Sequence, residues 1–308
     1  MNTATIRALP FQLRANDVVK HIINVDSRFR DSPRQSTSAD FYFSLLSPVK
    51  NVLRVRVTSV EFPNNYLFFT YKRKNITIEI QPTGLPVVAP FVITIPDGNY
   101  NAGEMETVIN AALSSYTGLT VAFDESEGSF TFTWTRTFNV NTAGVGTWDR
   151  PFDYGLGYYM GFSRGLHVSV PAIVAGSFEV VSDQCATFAG DNYLFLRVND
   201  FACVRQTIRT YSTTVHDQQA NDFTALAKIV IREPKNYMSF DDYASQHAKE
   251  VVFPAPTDLS RLHIQALDPY GNVMDLCEAQ WSFSIEVLEI KNLSLYNSIR
   301  DSITLQYF

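Results

Sequence analysis

Leu53 to Phe62 reads LRVRVTSVEF, and its period of two decides the fold class. In an extended chain Leu53, Val55, Val57 and Ser59 fall on one side, and Arg54, Arg56, Thr58 and Val60 on the other. β-Branched side chains suit a pleated surface with one buried face, so this is a strand over a core, with Val60 out of phase. Pro63, Asn64 and Asn65 stop it. Upstream, Phe41 to Leu46 is a short strand. Downstream, Asn75 to Ile80 (NITIEI) and Phe91 to Ile95 (FVITI) continue the sheet across a connection rich in Pro and Gly.

After the turn Pro96-Asp97-Gly98-Asn99 comes the best helix of the chain, Asn101 to Ser115. Asn101 with Glu104 three residues later is a capping-box pattern, and Met105, Val108, Ile109, Ala112 and Leu113 share one side at helical spacing. Leu119 to Phe123 and Ser129 to Trp134 follow as strands joined through Asp124 to Gly128, a hairpin. Leu156 to Phe162 (LGYYMGF) is a helical turn lying on the sheet. Tyr193 to Val198, Phe223 to Arg232, Leu259 to Leu267 and Trp281 to Ile290 are later strands, with a turn at Asp268 to Gly271. Their lengths and turn-rich intervals favour a sandwich or jelly roll over an α/β fold. The expected architecture is therefore mainly β, a β-sandwich or jelly roll with an inserted helix and β-hairpin and an extended N-terminal arm. The expected boundaries are an arm over 1–38 and one domain over 39–308, with the insertion near 97–135.

The arm is read from composition. Ser27 to Ser38 is Ser, Arg, Asp, Pro and Gln with few apolar residues, too little to offset the entropy of ordering, so it is either loose or ordered by a partner. Arg28, Arg30, Asp31 and Arg34 are its directional charges and candidate contacts with other subunits. Arg54 and Arg56, with Lys72, Arg73 and Lys74, form the basic patch of note, either a contact with an acidic neighbour or an anionic membrane, or a solvated edge that resists pairing. In the tail after Ile299, Phe308 is a further candidate contact.

Composition narrows the function classes. The 308 residues are 45% hydrophobic and 18% charged with a net charge of -6, which speaks against a strongly basic nucleic-acid binder; stacking aromatics on the basic face are also not evident. With 23 Phe and 15 Tyr, aromatic packing surface is abundant, some of it available for subunit contacts. Cys185, Cys203 and Cys277 have no metal or redox spacing and read as buried thiols in a reducing compartment rather than a disulfide framework. The opening MNTATIRALPFQLRAND lacks the apolar core of a signal peptide, and no apolar run approaches a membrane helix, so a soluble chain made in the cytosol is expected.

Catalytic chemistry finds no frame. His21, His167, His216, His247 and His263 are widely spaced with no paired ligand pattern. Asp241 and Asp242 suit free backbone N–H groups at a helix start better than a hard cation. Cys203 and His216 sit in no nucleophile elbow, and the glycines of 138–165 do not have phosphate-loop spacing. No catalytic, cofactor-binding or metal residue is assigned.

The order of motifs carries a resemblance. Val25-Asp26-Ser27-Arg28 with Arg30-Asp31, Phe41 to Leu45, Asn51 to Pro63 and Ile95-Pro96-Asp97-Gly98-Asn99-Tyr100 come first, then Met160-Gly161-Phe162, Leu259 to Ile264, Asp268 to Gly271 and Trp281 to Ile285. In that order they resemble the minor capsid proteins of large icosahedral nucleocytoplasmic double-stranded DNA viruses, over about Ile22 to Ile290. The resemblance implies a non-enzymatic capsid (cement) component of the virion, synthesised in the host cytoplasm. It would lie beneath the major capsid shell, touching the major capsid protein and other minor capsid proteins and near an inner viral membrane, without direct nucleic-acid contact and without a cofactor. The chain departs from the family's frequent acidic-glycine turn in having Asp268-Pro269-Tyr270-Gly271. A penton or vertex capsid protein is the alternative, with a glycan-binding or enzymatic β-sandwich behind it.

Overall fold

The computed structural model describes residues 17–143, 154–199, 207–211, 220–233, 237–241 and 250–294. It is mainly β, as the alternating stretches require. Two compact units are present where one domain over 39–308 was expected: Met1–Asn65 with Tyr193–Ile208 and Asp222–Phe308, and Tyr66–Asn192 with Arg209–Asn221. The insertion is thus far longer than the helix and hairpin near 97–135.

The first unit is an antiparallel sheet in the order β1 (Val18–Asp26), β17 (Ser282–Ile290), β2 (Asp40–Pro63), β16 (Glu250–Leu267), β11 (Tyr193–Asn199), β14 (Ala227–Val230), with β15 (Met238–Asp241) on the end of β2. Strand β2 is central: from Val52 to Arg56 it pairs with β17 on one side and β16 on the other. The misplaced phase of Val60 has a structural cause. Ile285 lies opposite Val57 but Ser284 lies opposite Ser59, so β2 carries one extra residue, a bulge. That residue returns Val60 and Phe62 to the buried side of Val55 and Val57. A second shift, between Leu288 opposite Arg54 and Glu289 opposite Val52, lets Val52 and Leu53 both be buried. Phe283, Ile285 and Val287 of β17 complete this core, each fully enclosed side chain contributing about 1.5–3 kcal/mol of burial. Trp281 closes one end. Its ring meets Phe41 and Phe62 edge-on and stacks at 5.3 Å on Phe283, and its Nε1 donates to the Ser38 carbonyl at 2.6 Å.

Strand β16 is longer than the expected Leu259 to Leu267 because it continues back through Pro254 and Pro256. Its pairing with β2 shifts register three times between Val252 and Arg261, which accommodates prolines that cannot donate to a regular ladder. At Asp268 the chain reverses through a loop rather than a two-residue turn: the Asp268 carboxylate accepts from the N–H groups of Tyr270 and Asn272, and Gly271 takes the left-handed conformation at φ 84°. The Phe223 to Arg232 strand is divided into β13 (Ala220–Thr224) and β14; β13 pairs instead with β12 (Thr207–Tyr211).

The second unit has two four-stranded sheets. One runs β4 (Phe91–Thr94), β3 (Thr77–Pro82), β7 (Phe138–Asn141), β8 (Leu166–Val168); the other β5 (Thr120–Asp124), β6 (Ser129–Trp134), β10 (Phe178–Val181), β9 (Val170–Pro171). Helix α1 (Ala102–Ala112) starts at the expected capping box, with both bonds between Asn101 and Glu104 at 2.9 Å. Met105, Ile109 and Leu113 are its buried side. Asn110 and Glu106 bond the backbone of Val121 and Phe123, so the helix covers the otherwise open edge of β5. The β5–β6 hairpin is held by Asp124, whose side chain accepts from the N–H groups of Ser126 and Glu127.

Helix α2 (Leu156–Tyr159) ends at Met160-Gly161-Phe162. Gly161 has φ 89°, and a Cβ there would lie 2.1 Å from the Gln184 carbonyl oxygen, so the position admits only glycine without rearrangement. Met160 and Phe162 on either side are fully buried.

Candidate inter-subunit surface

The arm expected over residues 1–38 is, from Val18 onward, part of the first unit, which corrects the boundary; residues 1–16 lie outside the described residues. Strand β1 runs beside β17 for nine residues without a break in register, its side chains Val19, His21, Ile23 and Val25 following the period that marks a strand. Ordering of 27–38 comes from polar bonds to distant segments, which compensates for its poor apolar content. Asp26 caps a 3-10 turn over Ser27–Phe29 and accepts from the backbone and guanidinium of Arg28. The Arg28 guanidinium holds the Asp26 carboxyl below the usual aspartate value. The Ser27 hydroxyl donates to Gln280 and accepts from the Trp281 N–H.

Arg30, expected to reach a neighbour, is instead buried. Its guanidinium donates to the Ser27 carbonyl at 2.8 Å, to Gln280 at 3.1 Å and to Glu278 at 2.9 Å. Glu278 and Cys277 both have positive φ, a conformation costly for residues with a Cβ, and the bond to Arg30 helps to hold it. Asp31 accepts from the Ser44 hydroxyl at 2.7 Å and from Arg261 at 3.2 Å. Hydrogen bonding by Ser44 is the main influence that places the Asp31 carboxyl below its ordinary value. Arg261 lies 4.1 Å over the Tyr42 ring, and Tyr42 stacks on His263, which bonds Asp40. Arg34 is exposed on the turn between Ser32 and Gln35. Arg28, Arg30 and Asp31 are therefore engaged within the unit, each with its own partners.

The five-residue basic patch divides. Arg54 and Arg56 lie on the first unit and Lys72, Arg73 and Lys74 on the second. Arg54 at 3.0 Å, Arg56 at 3.3 Å and Lys20 at 3.6 Å all reach the carboxylate of Glu286, which their side chains cover. Because β2 is paired on both sides here, these arginines do not protect an edge, contrary to the expectation of a solvated edge.

In the second unit Arg73 bonds Asp191 through both terminal nitrogens, at 2.8 and 3.1 Å, and lies over the Phe68 ring at 4.7 Å. The Tyr66 hydroxyl accepts from the Asp191 N–H at 3.0 Å. Burial first, and the Asp191 charge second, push the Tyr66 hydroxyl well above the ordinary tyrosine value. Tyr66 and Asp191 stand near the two ends of Tyr66–Asn192, so this clasp joins the start of that segment to its finish. Asp191, Glu278, Gln280 and Glu286 were not singled out in the sequence, because each acts through a partner more than a hundred residues away.

Of the aromatics from Tyr154 to Phe162, Tyr154, Tyr159 and Phe162 are buried, Tyr159 edge-on to Phe68 and Phe69; they belong to the core of the second unit. Phe308, Asp242, Cys203 and His216 lie outside the described residues; Cys185 and Cys277, expected to be buried, are exposed free thiols, and Asp241, expected at a helix start, ends strand β15. Among the described residues no three His, Cys, Asp or Glu side chains are grouped to hold a metal ion, and no helix is long and apolar enough to cross a membrane.

No protein-family model and no curated protein matches the chain. Among solved structures it is similar to the mavirus penton protein, at 10% identity over 88% of this chain and 98% of that one, with a TM-score of 0.44. It is likewise similar to a chain of the Sputnik virophage structure, at 12% identity over 90% of this chain and 99% of that one, with a TM-score of 0.41.

Proposed function

We propose that the chain is a structural protein of a viral capsid, a minor or cement component of the virion beneath the major capsid shell. On this reading its partners are the major capsid protein and other minor capsid proteins, an inner membrane lies nearby, and it catalyses no reaction and needs no cofactor. The observation that carries the reading is the use to which the resembling motifs are put. Asp26, Ser27, Arg28 and Arg30 build one joint and Trp281 closes the core beside it. Asp97 accepts from the Tyr71 N–H, and Asn99 bonds the backbone of Phe68 and Tyr66. Gly161 permits a close crossing of backbones. These residues secure a scaffold, which suits a part whose surfaces do the work.

Quantitative mass spectrometry of purified particles of the virus that encodes the chain tests the reading. It should be present at a fixed ratio to the major capsid protein and stay with the shell through salt washing. Its recovery only from the soluble fraction of infected cells would overturn the proposal.

A further inference from the structure

Sheet edges in this protein are treated in different ways. Side chains of α1 satisfy the edge of β5, and β4, β8, β9 and β14 are edges of four residues or fewer. Strand β1 is an edge of nine residues, and among the described residues nothing pairs with its outer side. It contains no proline, glycine or bulge, the devices that commonly blunt such an edge, and the charge of Lys20 lies back over the sheet, 3.6 Å from Glu286.

Which backbone groups are open follows from the ladder. The Lys291 N–H donates to the Asp17 carbonyl at 2.9 Å and the Ser27 N–H to the Trp281 carbonyl at 3.0 Å, at the two ends of the β1–β17 pairing. Odd-numbered residues of β1 therefore bond β17, and Val18, Lys20, Ile22 and Asn24 direct N–H and C=O away from the sheet. The side chains of Lys20, Ile22 and Asn24 are exposed, Ile22 at 58%.

We propose that this edge is a self-association surface on which β1 of a second copy adds antiparallel about a two-fold axis at Ile22. An isologous contact must be complementary to itself, and this register is. It sets Ile22 against its own mate, Lys20 against the second copy's Asn24, His21 against Ile23 and Val19 against Val25, with no like charges opposed. The pairing gives partners to the outward backbone groups and covers the exposed isoleucine. It holds whatever place the chain takes in a particle.

The test is sedimentation equilibrium of the full chain over a wide concentration range. The wild type should show a reversible monomer–dimer equilibrium. Ile22→Lys, which opposes two ammonium groups at the axis on an already exposed position, should weaken it by roughly tenfold or more. Asn24→Asp, which keeps the acceptor for the Ser284 hydroxyl and sets a carboxylate opposite each Lys20, should tighten it by roughly two- to threefold, since Glu286 already shares that ammonium. Ile22→Pro removes an outward N–H and should abolish the dimer while leaving the bonds to β17, whereas Ile23→Pro strikes the internal ladder and should lower folding stability. Circular dichroism checks that the Ile22 variants fold. A chain monomeric at all concentrations, a dimer indifferent to Ile22→Lys, or a dimer seen only after residues 1–16 are removed would each overturn the proposal.

Discussion

Asp191→Ala removes the carboxylate that Arg73 grips through both terminal nitrogens at 2.8 and 3.1 Å. The Arg73 and Asp191 side chains are 13% and 6% exposed, so solvent screens the pair little. Loss of one partner from such a pair costs about 3–5 kcal/mol, because the remaining charge keeps its desolvation without its main compensation. Asp191 also donates its N–H to the buried Tyr66 hydroxyl, a backbone bond that survives the substitution, whereas the longer bond from that hydroxyl to Oδ2 at 3.4 Å is lost with the carboxylate. Equilibrium urea unfolding of wild type, Asp191→Ala, Arg73→Met and the double variant completes the cycle. Each single variant should lose about 3–5 kcal/mol, and the double variant should lose clearly less than their sum, since it leaves no lone charge. Single losses below about 1 kcal/mol, or strictly additive ones, would refute the reasoning that the clasp is a coupled buried pair.

Leu113 is 1% exposed at the end of α1, so Leu113→Ala should cost roughly 2–5 kcal/mol, and a loss under about 1 kcal/mol in the same assay would mean this side of the helix is not enclosed. Gly161→Ala should destabilise by more than about 2 kcal/mol, since it adds both left-handed strain and a collision with the Gln184 carbonyl; a neutral result in thermal unfolding would show that α2 can shift. Asp31 lies below its ordinary 3.8 in the folded chain, through Ser44 first and Arg261 after it. A lowered folded value contributes stability above the unfolded pKa and loses it as pH falls through the folded one, so the loss belongs below about pH 4. Carboxyl NMR of Ser44→Ala should show the Asp31 titration moving up toward 3.8, and an unmoved titration would remove Ser44 as the cause.

Local rules made much of the fold legible. Alternation marks β2, the Asn101 and Glu104 spacing marks α1, and Asp124 to Gly128 marks the hairpin, because each signal acts within a few residues. Val60 shows where that stops: its phase is set by one extra residue opposite β17, a property of the pair and not of either strand. Strand β1 carried a readable signal, Val19, His21, Ile23 and Val25 at period two, which the polar composition that follows it obscured. Arg30 and Arg73 looked like surface cations because the carboxylates that bond them lie far away in sequence. Glu278 and Asp191 stand 248 and 118 residues away, and only the fold brings them together. The larger insertion was missed for the same reason, its two ends being joined by Tyr66, Arg73 and Asp191 across the whole segment.

The claim that the chain is a shell component is tested most directly by a reconstruction of the intact particle at a resolution that traces side chains. Density for β2 with its bulge at Thr58 and for Trp281 against Phe283 identifies the chain without ambiguity. The account predicts that density in many symmetry-related copies on the inner side of the shell, between capsomers. Density confined to the five-fold vertices would contradict the cement role and assign a penton, and a fully traced shell in which the chain has no position would contradict the capsid role altogether.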